Sequence, residues 1–221
     1  MFVPEHFFNL SAIAFSDLFK LKEHVWETLK DLTSYLDSKP LGTIESEIPK
    51  GVFIVNPEKV SIEKNVTIEP GAYIEGPCII GKGSTIRHSA YVRPYVLTGK
   101  NCVIGHATEV KHSILLDGAQ APHFNYVGDS ILGNNVNLGA GVICANFRLD
   151  KGEVVVDVDG SRFKTGLRKF GAILGDMSQL GCNTVLNPGI LLRKKTLARA
   201  CSSIQKSNVR NLCDGKPANC S

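Results

Sequence analysis

No glycine stands before Gly42 in this 221-residue chain, which excludes a glycine-rich phosphate loop from the opening stretch. None of the seven cysteines (Cys78, Cys102, Cys144, Cys182, Cys201, Cys213 and Cys220) makes a CxxC spacing, and their number is odd. Neither a disulfide framework nor a zinc ribbon is favoured; free thiols in a reducing compartment are the expectation. No apolar run approaches a membrane span, and Met1-Phe-Val-Pro-Glu5 carries no basic region ahead of its apolar residues, so neither a membrane helix nor a secretory signal is expected. No block of like charge exceeds a few residues, and the net charge of +4 is mild. Nucleic acid gains no support from that balance, whereas a small anionic ligand fits. With 43% apolar and 21% charged residues, and glycine and proline (21 and 10) near their usual share, disordered and low-complexity classes fail. What remains is a cytoplasmic protein of one large domain with a short appendage.

Composition changes near Pro40. Aromatic residues crowd the glycine-free opening (Phe2, Phe7, Phe8, Phe15, Phe19, Trp26 and Tyr35), and Phe19, Val25, Trp26, Leu29, Leu32 and Leu36 recur at helical spacing from a candidate N-cap at Ser16-Asp17. The pattern predicts an amphipathic arm of one or two helices whose aromatic stripe serves packing.

From Val60 a strict six-residue period takes over. Hexads open at Val60, Val66, Ala72, Cys78, Ser84, Ala90, Val96, Cys102 and Thr108, and two places later stand Ile62, Ile68, Ile74, Ile80, Ile86, Val92, Ile104 and Val110, with Thr98 the one break in the aliphatic column. Alternation within each hexad predicts a short strand, and the Gly, Pro and Asn that follow supply a corner. Three strands close a triangular coil of eighteen residues. The pattern resembles the hexapeptide-repeat, left-handed parallel β-helix, an all-β solenoid here preceded by an α-helical arm. Two shortened corners are expected, at Ile114 to Gly118 and at Asn125 to Asp129. The register then runs through Ser130, Val136 and Val142 and resumes at Ser178, Thr184, Ile190, Thr196 and Ser202. Between them lies an insertion, Phe147 to Phe170, whose Val154 to Val158 and Ser161 to Thr165 flank Asp159-Gly160 and predict a protruding hairpin. The expected organisation is an arm over 1–45, a β-helix domain over 46–208 with the insertion at 147–170, and a tail over 209–221.

Residues one coil apart stack about 4.8 Å from each other. Arg93 and Lys111 share the fourth hexad place one coil apart, and two such cations repel unless an anion lies between them; the ladder is either a phosphate site or a solvated basic face. Fifth places hold His88, His106 and His123, with Ala140 one coil further. Three imidazoles in one vertical column make a poor tetrahedral metal cage, and no metal is expected. His123 alone lies beside the Gly139-Ala140-Gly141 turn, where small residues leave N–H groups able to hold an oxyanion.

Tyr91-Val-Arg-Pro94, Val110-Lys111, Pro122-His-Phe-Asn-Tyr-Val-Gly-Asp129, Asn135-Val-Asn-Leu-Gly-Ala-Gly141 and Ala145-Asn146 together resemble the acetyltransferase domain of the bifunctional glucosamine-1-phosphate acetyltransferase/N-acetylglucosamine-1-phosphate uridylyltransferases. Asn146 to Asp150 and Gly166 to Ala172 are closer to the archaeal-type sugar-1-phosphate nucleotidylyltransferases. The resemblance covers roughly residues 50 to 205. It implies an acetyl-CoA-dependent N-acetyltransferase on an amino-sugar 1-phosphate, glucosamine 1-phosphate first, in UDP-N-acetylglucosamine precursor synthesis. His123 would be general base and the Ala140 N–H would face the thioester oxygen. Arg93, Lys111 and Tyr126 would hold the phosphate, Asn137 and Asn146 would orient the sugar, and Asp176 and Arg193 would lie near the coenzyme. The β-helix family also implies a homotrimer.

The chain departs from that pattern in places. Phe147-Arg148-Leu149 replaces Tyr-Asp-Gly, Asp176 replaces a serine beside the coenzyme sulfur, and Gly152 and Val155 stand where archaeal relatives carry lysines. Lys151, or Arg162 and Lys164 from a neighbouring subunit's hairpin, are the candidate replacements, and Lys194, Lys195 and Arg199 join Arg193 as candidate contacts for coenzyme phosphates or as a solvated face. The missing glycine-rich loop makes a stand-alone acetyltransferase half the expectation, without uridylyl transfer. Two other readings stay open: a γ-class carbonic anhydrase-like zinc protein, and a non-catalytic β-helix binding a nucleotide sugar or a protein partner.

Overall fold

Alternating small and aliphatic residues turn inward in each hexad, and the corners that separate the strands are made by residues that tolerate positive φ, such as Asn65, Asn101, Asn135 and Asn183. The computed structural model describes residues 1–209 and the strand Ala218–Cys220; Cys213, expected in the tail, lies outside the described residues. The strands stack into three parallel sheets of eight, seven and eight strands, each pairing with the strand one coil away. The result is a parallel β-helix of triangular section, entered at Ile44, which bridges to Ile62. Face I carries Tyr91–Val92, Glu109–Lys111, Tyr126–Gly128 and Ile143–Cys144. Val96–Thr98, Ser113–Leu115, Ile131–Leu132 and Ala172–Leu174 lie on face II, and Val103–His106, Gln120–His123 and Asn137–Leu138 on face III. The inward columns, from Val60 and Ile62 through Leu192 and Ile204, form one continuous core.

Register locates the shortened corners. Val92 pairs with Val110, eighteen residues on, but Val96 pairs with Ser113, seventeen on. The first missing residue is therefore at Lys111-His112, one hexad earlier than the sequence pattern suggests; Ser113, fully buried, takes the inward place that Ile114 was assigned. The second falls between Val127 and Ile131, as Asn125 to Asp129 predicts. Both short corners thus lie on the I–II edge, one above the other.

Face II differs from the other two because it is apolar on both sides. Its outward residues Leu97, Ile114, Ile131, Ile173 and Leu191 are at most 1% exposed, and the N-terminal arm covers them in a second core that includes Phe7, Phe19, Trp26, Leu29, Leu32 and Leu36. Each such side chain stabilises the arm's docking by roughly 1.5–3 kcal/mol. The arm contains α1 (Pro4–Phe7), a 3-10 turn at Ser16–Phe19 and α2 (Glu27–Asp37). Helix α2 begins well after Ser16, because Leu21 adopts positive φ and the Val25 N–H is held by the Phe2 carbonyl. The hairpin forms as predicted, Val155–Val158 against Ser161–Lys164. It lies against the arm instead of protruding: Val154 and Val156 are buried there, and Phe163 meets Phe2 edge to face. No helix among the described residues is long and apolar enough to cross a membrane.

Candidate active site

The I–II edge gathers one set of predicted residues. Arg93 precedes a three-residue corner, Lys111-His112 and Gly128-Asp129 form the two short ones, and the insertion leaves the coil from the same edge just past Asn146. Tyr95, His112 and Asp129 all take positive φ there. Neither cation faces open solvent alone, as the ladder suggested. Arg93 Nη1 lies 2.9 Å from Glu109 Oε1, and Lys111 Nζ lies 3.1 Å from Asp129 Oδ2. Asp129, 5% exposed, is the hub: it also receives Asn146 Nδ2 and stands 3.2 Å from His112 Nδ1. Burial raises its pKa, but the close His112 contact, the Lys111 charge and Asn146 outweigh burial and hold the carboxyl below its ordinary range.

Tyr126 stands on face I beside this hub, its hydroxyl 3.2 Å from Asn146 Nδ2. Burial and the nearby Glu109 push its pKa up, so the phenol stays protonated and able to donate. Gly128 makes that arrangement possible, since a Cβ there would lie 2.6 Å from Asn146 Nδ2 and 2.8 Å from the Tyr126 oxygen. Asn146 is held where the insertion departs: its carbonyl accepts the Phe170 N–H, and Gly171 N–H bonds Asp129 O.

The III–I edge holds the histidine column. His88 Nδ1 is 2.6 Å from the Pro70 carbonyl and His106 Nδ1 is 3.0 Å from the His88 carbonyl, with their rings stacked at 5.5 Å. A carbonyl only accepts, so both Nδ1 atoms carry the proton. His123 is different. Its ring is exposed and makes no hydrogen bond to the described residues, while its backbone N–H is held by the buried Asn125, whose Nδ2 reaches Gly139 O at 2.8 Å. The next coil brings Ala140 directly over it, with Gly141 N–H on His123 O and Asn183 N–H on Ala140 O. The Ala140 N–H finds no acceptor among the described residues.

Other predicted residues lie elsewhere in a single chain. Asn137 is on face III, between Gln120 and Gln179. Lys164 is exposed at the end of the hairpin, opposite Val155. Asp176 and Arg193 are on the II–III edge, away from Ala140. Asp176 accepts Asn9 N–H and Asn134 N–H at 2.7 Å each, and its own N–H bonds Phe7 O, so it ties the arm to the coil. Sequence reasoning missed Glu109, His112 and Asn125, and assigned Asp129 no role. Spacing contains the signal for two of them, since Glu109 and Asp129 lie 16 and 18 residues beyond their cations.

The model of the GMPPB C-terminal domain family matches residues 74–208. The bifunctional sugar-1-phosphate nucleotidylyltransferase/acetyltransferase of Sulfurisphaera tokodaii is 42% identical over 160 residues, covering 72% of this chain and 38% of the relative. Bifunctional protein GlmU of Methanococcus maripaludis is 37% identical over 177 residues, 80% of this chain and 42% of the relative. The chain therefore spans about two fifths of the length of these curated relatives. A solved structure of a candidate acetyltransferase from Bacillus cereus superposes with a TM-score of 0.53 at 16% identity, over 74% of this chain and 87% of that one, which speaks to the fold alone.

Proposed function

The chain belongs to the GMPPB C-terminal domain family, and on that premise we propose that it transfers an acetyl group from acetyl-CoA to the amino group of an amino-sugar 1-phosphate, glucosamine 1-phosphate first. The observation that carries this reading is the contrast within the histidine column. His88 and His106 have Nδ1 committed to carbonyls, whereas His123 presents an imidazole with no hydrogen bond among the described residues, one coil from an Ala140 N–H that likewise finds no acceptor among them.

The neutral amine attacks the thioester carbonyl and the C–N bond forms as His123 takes the amine proton. Negative charge gathering on the carbonyl oxygen is met by the Ala140 N–H, and the C–S bond breaks to release the coenzyme thiolate, which takes up the proton held by His123 and leaves as the thiol. Arg93, Lys111 and the Tyr126 hydroxyl bind the phosphate, which competes with Glu109 and Asp129 for the two cations. Asn146 orients the sugar.

Asn137 and Lys164 face away from this surface in one chain, so a second copy completes the site, in a homotrimer. Face II is closed to that copy by the arm, while face I offers the exposed Phe53, Tyr73 and Tyr91, packed in sequence at 6.2 and 5.3 Å. A thiol-release assay with acetyl-CoA and a panel of amino-sugar 1-phosphates tests the reading. Turnover of at least one panel member supports it; no thiol release with any, alongside stoichiometric zinc, replaces it with the carbonic anhydrase-like alternative.

A further inference from the structure

His112 occupies the first of the two shortened corners, between Lys111, whose Nζ reaches Asp129, and the covered face II. One ring nitrogen, Nδ1, lies 3.2 Å from Asp129 Oδ1. The other, Nε2, lies 3.4 Å from Oγ1 of Thr33, on helix α2 of the N-terminal arm. Tyr95 meets the ring edge to face at 6.1 Å. The side chain is therefore held on three sides, by the arm, by the preceding corner and by a buried carboxylate. That carboxylate holds both groups expected to meet the acceptor, Lys111 at 3.1 and 3.3 Å and Asn146.

His112 Nδ1 is buried 3.2 Å from Oδ1 at an angle that falls short of a hydrogen bond, so the ring meets the carboxylate as a close polar contact that occupies the space beside Oδ1. Lys111 and Asn146 then share the rest of the carboxylate, which limits where their nitrogens can sit. Lys111 Nζ already bridges both oxygens, and without His112 the space beside Oδ1 would let it, or Asn146 Nδ2, swing further round the carboxylate, away from face I. We infer that His112 is a positioning residue: acting through Asp129, it sets Lys111 and Asn146 to receive the phosphate and ring of the acceptor, and through Thr33 it makes the N-terminal arm part of the site's support. This rests on the reading of Lys111 as a phosphate ligand. It predicts a role for a residue that touches neither substrate, and for an arm that otherwise only covers face II.

The test compares wild type with His112→Ala, His112→Asn, His112→Leu and Thr33→Val. Asparagine places Nδ2 on Cγ just as histidine places Nδ1, so it can restore the polar contact with Asp129; leucine restores bulk alone. Binding of inorganic phosphate to the full chain is measured by calorimetry, and in parallel the KM values for glucosamine 1-phosphate and acetyl-CoA are determined. Expected are phosphate affinity and acceptor KM worsened about 10-fold in His112→Ala and His112→Leu, near-complete rescue in His112→Asn, an intermediate loss in Thr33→Val, and an unchanged acetyl-CoA KM. Rescue by leucine, equal damage to both KM values, or phosphate binding that is absent from the wild type or unaffected by His112→Ala overturns the inference. If the wild type binds phosphate with this variant pattern but releases no thiol with any amino sugar, the proposed acetyl transfer falls and the positioning role stands.

Discussion

Lys111 Nζ lies 3.1 Å from Oδ2 of Asp129, whose side chain is 7% exposed. A cation compensated in this way gains less from a bound phosphate than a bare one, but it is held ready to meet it. Arg93 is paired nearer solvent, with Glu109, and both side chains of that pair are about one third exposed. Arg93→Ala and Lys111→Ala should each raise the KM for the sugar phosphate and leave acetyl-CoA nearly unaffected. Only Lys111→Ala should also lower the melting temperature, because it leaves a buried carboxylate with less compensation. Steady-state kinetics with thermal melts check both parts; a rise in the acetyl-CoA KM alone would reassign the ladder.

His123→Ala should lower kcat by about 10²–10⁴-fold, the usual contribution of a positioned proton acceptor. His88→Ala and His106→Ala should keep wild-type kcat, since their rings bond backbone carbonyls of the coil. The His123→Ala deficit should shrink as pH rises and free amine becomes abundant. If wild-type kcat survived in His123→Ala near neutral pH, the acetyl-transfer mechanism would be refuted.

Asp176→Ala should loosen the arm. It strands the N–H groups of Asn9 and Asn134 and removes a tie between chain segments far apart in sequence, at a cost of about 1–3 kcal/mol. Hydrogen exchange at the Asn9 amide should accelerate while exchange in the coil core stays slow. Equal acceleration in both would mean that the arm and coil unfold as one unit.

Acid should expose the Asp129 hub. A folded-state pKa below the unfolded value of about 4 gives stability that is fully present above that value and is lost as pH falls through the folded pKa. Asp176, whose pKa burial raises despite the bonds from Asn9 and Asn134, has the opposite sign: its contribution is lost as pH rises through its folded pKa. Melting temperatures of wild type and Asp129→Asn should therefore differ near neutral pH and converge below about pH 4. A constant gap down to pH 2 would mean that the charge of Asp129 does not matter to stability.

Sedimentation should give a trimer, and mutating the exposed face I column, Phe53→Ser with Tyr91→Ser, should weaken it and reduce turnover together. A fully active monomer would remove the need for a second copy.

The coil was legible because one inward column repeats without slip from Val60 to Thr108, and because Asn and Gly mark the corners. The position of the first short corner was not, since Ser113 and Ile114 can each fill an inward place by size and only strand pairing decides between them. The arm's destination was missed although the sequence encodes it: Val96-Leu-Thr98, Ile131-Leu132 and Ile190-Leu-Leu192 are apolar on both faces, as strands buried on both sides are. In the site, the His123 and Ala140 stacking followed from counting residues. The carboxylates opposite Arg93 and Lys111 did not, because a cation ladder suggests an external anion before an internal one.

Ile131 pairs with Ile173 in the same parallel register that the uninterrupted coils use, although the whole insertion lies between them. The bonds from Phe170 N–H to Asn146 O and from Gly171 N–H to Asp129 O close its two ends at a single corner. The ladder is thereby insulated from the outer end of the insertion, so the I–II edge is a natural cassette position: Asp157 to Arg162 can be exchanged for a foreign segment while Val154, Val156 and Phe163 keep the arm seated. A library grafted there would vary the wall facing Phe147 and Arg148 on a scaffold whose packed residues stay in place.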